Sequence, residues 1–97
     1  MFHHVVLLEF HRPNDPGAIA FMREQCDFMK AHIPELLEIQ FEKNVADRGK
    51  PYTHAILTSF HSSADHDVYQ AHQAHVLVKE RIKDTIKSLL VLDYEVG

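Results

Sequence analysis

Apolar residues recur in this chain at two spacings, and the order in which those spacings alternate leaves few folds open. The run from His3 to His11 is rich in β-branched and aromatic residues and reads as a strand. Its faces are His4, Val6, Leu8, Phe10 and His3, Val5, Leu7, Glu9. Aliphatic residues stand on both, so both should be covered. Arg12 to Gly17 is a turn cluster, with Asn14 or Asp15 placed to cap a helix and Pro16 at its first position. Ala18 to Ile33 then changes to helical spacing, with Ile19, Met22, Cys26, Met29 and Ile33 on one stripe. Pro34 stops it. Leu36 to Val45 alternates again, Asp47 to Pro51 is a turn, and Tyr52 to His61 is a third strand. Helical spacing resumes after Ser62-Ser-Ala-Asp65, where either serine can cap. It runs to about Leu89 with a bend near His72 to His75. Leu90 to Val96 forms the last strand.

The order β-α-β-β-α-β predicts an α+β, ferredoxin-like domain over residues 1–97. A four-stranded antiparallel sheet carries both helices on one face. The other face would be bare, with Val5 and Leu7 from the first strand and Leu89 and Val91 from the last expected there. Such a patch predicts a homodimer packed sheet on sheet, which also suits a chain too short to bury a large core.

Ten Lys and Arg against 14 Asp and Glu give a net charge of −4, which disfavours a nucleic-acid partner. No apolar run reaches membrane-spanning length, and Glu9 comes too early for a signal peptide, so no membrane partner is expected. Cys26 is the one cysteine, which excludes an internal disulfide and points to a reducing, cytoplasmic setting.

Nine histidines are the compositional outlier. In Tyr69-Gln-Ala-His-Gln-Ala-His75, His72 lies one turn from both Tyr69 and His75, so a continuous helix sets the three on one stripe. A phenol and imidazoles facing a cavity have what proton transfer near neutral pH requires. If the apolar faces of the first and third strands look toward the helices, His4 and His54 converge on the same hollow. Val6, Leu8, Ile56, Cys26 and His72 would then line it. Each residue also has a plain reading. A histidine on an apolar strand face is more often a hydrogen-bonded core residue than a catalyst. Tyr69 can be packing with a wet hydroxyl, and Cys26 a small buried hydrophobe. His72 and His75, with His66 nearby, offer nitrogen to Zn²⁺ or Ni²⁺, but metal sites normally want a third ligand and a second shell and no metalloprotease-type motif is present, so no metal or cofactor is expected. His3, His11, His32, His61 and His66 receive no role. Phosphate loops, dinucleotide fingerprints and nucleophile elbows are absent.

Four segments together resemble the stress-responsive dimeric α/β-barrel family. They are His4 to Phe10, Tyr52 to Phe60, Tyr69 to His75, and Val91 to Val96, which contains Asp93-Tyr-Glu. The resemblance implies a dimeric α/β barrel of two facing sheets. Most members carry no assigned reaction. One plant member is a polyketide cyclase that performs an intramolecular aldol condensation, and its working residues fall on His4, His54, Tyr69 and His75. Gln73 stands where the family usually has proline, and Cys26 where the cyclase has a pocket tyrosine. The resemblance thus implies a cofactor-free His/Tyr acid–base enzyme, a cyclase, lyase or isomerase acting on a small carbonyl or polyketide-like compound. The alternative is a non-catalytic stress-response homodimer holding a small apolar ligand.

Overall fold

The computed structural model describes residues 1–97. Its elements are β1 (Phe2–Phe10), α1 (Pro16–His32), β2 (Glu38–Lys43), β3 (His54–Phe60), α2 (Ser63–Ala71), α3 (Gln73–Ile82) and β4 (Ile86–Glu95). The four strands form one antiparallel sheet in the order β2-β3-β1-β4. This is the expected ferredoxin-like fold, with the second helical region divided in two.

Local chemistry sets the boundaries. Asp15 accepts a hydrogen bond from the Gly17 amide at 2.9 Å and Pro16 opens α1, as the turn cluster predicts. Ser62 caps α2 by accepting from the Asp65 amide at 3.2 Å. Met22, Cys26 and Met29 bury the α1 stripe against the sheet, together with Gln25. Beyond β2, the Asn44 side-chain Nδ2 donates to the Tyr52 carbonyl at 2.9 Å while its Oδ1 accepts from the Ala46 backbone amide at 3.0 Å. A β-carbon at Gly49 would overlap that Asn44 side chain. Gly49→Ala should therefore break both bonds, cost about 1–3 kcal/mol, and lower Tm by at least ~4 °C. An unchanged melting curve would refute this account of the loop.

Three expectations need correction. The second helical region does not continue to Leu89: it breaks at His72 and ends at Ile82, and β4 begins at Ile86. Val78, Ile82 and Ile86 keep helical spacing into the strand, which hides the boundary in the sequence. Second, His72 does not share a stripe with Tyr69 and His75. Its backbone is extended (φ −64°, ψ 138°) and its Nδ1 accepts from the Ala74 amide at 3.0 Å, so it caps α3. Third, Leu89 and Val91 are not on the bare face. Pairing His4 with Asp93 and Val5 with Leu92 turns Asp93, Val91 and Leu89 to the helix side, and Leu90, Leu92 and Tyr94 to the bare side.

The bare face carries Val5 and Leu7 from β1, Leu57 from β3, and Leu90, Leu92 and Tyr94 from β4. Leu90 and Leu92 are more than half exposed. Under the helices the core falls into two clusters, one around Met29, Leu36, Phe60 and Val78, the other around Leu8, Phe10, Met22 and Phe41. A cavity lies between them.

Candidate active site

The cavity has a volume of about 220 Å³ and is walled mainly by hydrophobic side chains. Val6, Leu8 and Ile56 form its floor on the sheet, and Cys26 and Met29 come from α1. Val78 lines the α3 side, and Leu89 and Val91, both about half exposed, stand on β4 at the edge of the sheet. Its polar lining includes His4, Tyr69 and His75.

Tyr69 lies in the last turn of α2 and His75 in the first turn of α3. Six residues of unbroken helix would leave them about 120° apart around the axis, at opposite edges of the stripe and nearly two turns apart along it. The break at His72 brings their rings together, with centroids 4.3 Å apart. His75 is 9% exposed, and its Nδ1–H donates to the Gln70 carbonyl at 3.3 Å. That bond fixes the tautomer and leaves the Nε2 lone pair free. Burial is the main reason the His75 pKa falls to about 4. Lys79, His4 and His66 push the same way, against the Gln70 bond, which raises it. At neutral pH, His75 is an uncharged base.

Tyr69 is 3% exposed, and burial pushes its phenol well above the ordinary value, with Cys26 adding to the rise. Its hydroxyl donates only to the Met29 sulfur, at 3.7 Å. A thioether is a weak acceptor, so a carbonyl oxygen in the cavity would be a better partner. Cys26 lines the wall as a neutral thiol, its pKa raised to about 12 chiefly by burial. A thiol in that state is no nucleophile.

His4 joins the site from β1, with its Nδ1 hydrogen-bonded to Asp93 of β4. His66, on α2 one turn before Tyr69, tilts over His4 with ring centroids 4.5 Å apart. Neither Asp93 nor His66 was assigned a role by sequence reasoning. The i, i+3 spacing of His66 and Tyr69 was the available signal for one, and the terminal Asp-Tyr-Glu for the other. His54 does not reach the cavity. It pairs with Leu8 whereas His4 pairs with Thr58, four residues away along the strands, or about 13 Å. There it stacks on Phe41 at 5.3 Å and bonds Thr53 Oγ1 at 2.9 Å. Burial, with Lys43 and Arg23, lowers its pKa. His72 also lies outside, in a surface groove with Phe28 and Leu77.

Comparison with known proteins fits this geometry into a family. The model of the stress-responsive A/B barrel domain, Dabb, matches residues 2–96. The chain belongs to the Dabb family. Among solved structures, this Dabb protein is similar to the Arabidopsis thaliana protein At3g17210, with 24% identity and a TM-score of 0.90 over 100% of this chain and 96% of that one. It is similar to a hydroxynitrile lyase from Passiflora edulis, with 19% identity and a TM-score of 0.87 over 99% and 93%. A dimeric ferredoxin-like protein of unknown function from Bacteroides fragilis shares 22% identity and a TM-score of 0.79 over 98% and 95%. Identities this low establish the shared fold alone. No curated protein matches the chain. No helix of this Dabb protein is long and apolar enough to cross a membrane.

Proposed function

We propose that this Dabb protein is a cofactor-independent acid–base enzyme acting on a small carbonyl compound. The observation that carries the reading is the meeting of a neutral His75 and an under-used Tyr69 hydroxyl on the wall of one apolar cavity. His75 Nε2 removes a proton from the carbon next to a carbonyl. Tyr69 donates a hydrogen bond to that carbonyl oxygen as negative charge develops on it. The resulting enolate can be reprotonated elsewhere, as in an isomerase, or add to a second carbonyl, as in a cyclase. The reverse carbon–carbon cleavage is a lyase reaction. A lyase among the fold neighbours is compatible with this reading, which rests on the residues themselves. His4, held by Asp93, lines the same cavity with its ring edge-on to Tyr69, centroids 6.2 Å apart.

The second reading is a small-ligand-binding protein without catalysis, and the largely hydrophobic lining favours it. A melting screen with β-keto thioesters and aromatic carboxylates tests for an occupant. A ligand at a hundred times its Kd stabilises by about 2.7 kcal/mol, a readable rise in Tm. Turnover then separates the two readings, and a screen without any shift would argue against both.

The working unit is proposed to be a homodimer, with the bare sheet faces of two copies packed together. Several fold neighbours are dimeric ferredoxin-like proteins, and the exposed leucines of β4 supply the apolar surface.

A further inference from the structure

The histidine that sequence reasoning left without a role stands in a second constellation, at one end of the cavity. His4 of β1 and Asp93 of β4 are direct cross-strand partners, and His66 comes down on them from α2. One donor atom from each of the three residues falls within 4.8 Å of the others. We propose that His4, His66 and Asp93 form a binding site for a borderline divalent cation of the Zn²⁺ class.

The chemistry of the donor set selects the ion. Two imidazoles and one carboxylate suit Zn²⁺, Co²⁺ or Ni²⁺, whereas Mg²⁺ and Ca²⁺ require mostly oxygen. Three protein ligands leave a fourth position to water or to an oxygen of a ligand. Each donor is carried by a different element of the fold, so the set is held by the sheet and α2 rather than by a loop. His4 and His66 are buried, while the Asp93 side chain is 40% exposed and leaves a route for the ion. Phe2 stacks on the His66 ring at 4.8 Å and Phe60 meets it edge-on at 5.2 Å. These rings restrict the rotation of His66 and shield the site from water. The Gln70 side-chain nitrogen lies 3.0 Å from His66 Nε2, and turning that amide by 180° presents its oxygen to an Nε2–H, the outer contact that orients the ring and leaves Nδ1 free to ligate. Binding displaces any proton held between His4 and Asp93, so affinity should fall in acid.

This site differs from the His72/His75 pair that spacing alone brings to mind. His72 caps α3, and Nδ1 of His75 is held by Gln70.

The test uses the full-length protein, stripped of metal with a chelator. Zn²⁺ is titrated by calorimetry, and Co²⁺ by its visible absorption. The expected result is one ion per chain with a Kd at or below about 10 μM, a free energy of about −7 kcal/mol. His66→Phe keeps an aromatic ring between Phe2 and Phe60, and Asp93→Asn is nearly isosteric. Each should weaken binding by at least about tenfold, judging from what lost ligand support costs in known metal sites. His11→Gln should leave the metal affinity unchanged, because His11 is exposed and lies outside the set. Wild-type affinity and stoichiometry in folded His66→Phe and Asp93→Asn would overturn the proposal. So would the absence of any saturable binding below about 1 mM. The readout is metal binding alone, so its failure leaves the Tyr69–His75 reading intact, and the reverse also holds.

Discussion

His75→Gln is expected to lower turnover of a carbonyl substrate by about a hundred- to ten-thousandfold, the range attributed to a positioned general base. Glutamine is close in size and keeps a polar end, but it cannot take a proton. Binding, read from the ligand-induced rise in Tm, should survive the substitution within a few-fold, because most of the cavity wall is apolar and untouched. Turnover and binding falling together would instead mean that His75 shapes the cavity. Acid gives a second reading of the same residue. The folded pKa of His75 is depressed to about 4 from an ordinary 6.5. Below pH 6.5 an unfolded chain takes up a proton that the folded chain refuses. Stability is therefore fully present above about pH 6.5 and is lost as pH falls toward 4, by an amount on the order of 3 kcal/mol for this group. His66 and His54 are shifted downward as well, each mainly by burial, and act in the same direction. His75→Gln should flatten part of that acid loss. Urea denaturation at pH 7 and pH 4.5 measures it, and an equal acid loss in both proteins would contradict the burial argument.

Leu92→Asp is expected to split the proposed dimer. Leu92 is 57% exposed in the single chain and stands with Val5, Leu7 and Leu90 on the bare face. Burying a leucine contributes about 1.5–3 kcal/mol, and a two-fold interface loses that contribution twice. The combined loss of roughly 3–6 kcal/mol raises the dissociation constant by about two to four powers of ten. Desolvating two carboxylates adds to it. Sedimentation should give twice 11.2 kDa for the wild type at micromolar concentration and 11.2 kDa for the variant. A monomeric wild type, or a variant of unchanged mass, would remove the sheet-on-sheet assembly from the account.

How much of this the sequence carries depends on which residues are asked about. Period-two runs and the α1 stripe specify element type well, because each buries one side of a regular structure. Phase and depth are another matter. Leu89-Leu90-Val91-Leu92 is apolar throughout, so alternation gives no face, and only pairing with β1 turns Leu89 and Val91 inward. His4 and His54 share the helix face of the sheet, yet a face does not say how far along the strand a side chain stands. Register separates them and leaves His54 among Phe10 and Phe41. The meeting of Tyr69 and His75 depends on the helix break at His72. That break lacks a proline and is made instead by an imidazole capping α3. Asp93 becomes part of the site only through its cross-strand partner His4.

The central claim is that a neutral, tautomerically fixed imidazole faces an open hollow. Nitrogen NMR of the His75 ring across pH tests it most directly. The account predicts a neutral ring at pH 7 with its proton on Nδ1, donated to the Gln70 carbonyl, and a midpoint near 4. A ring that titrates near 6.5 and exchanges freely between tautomers would contradict it.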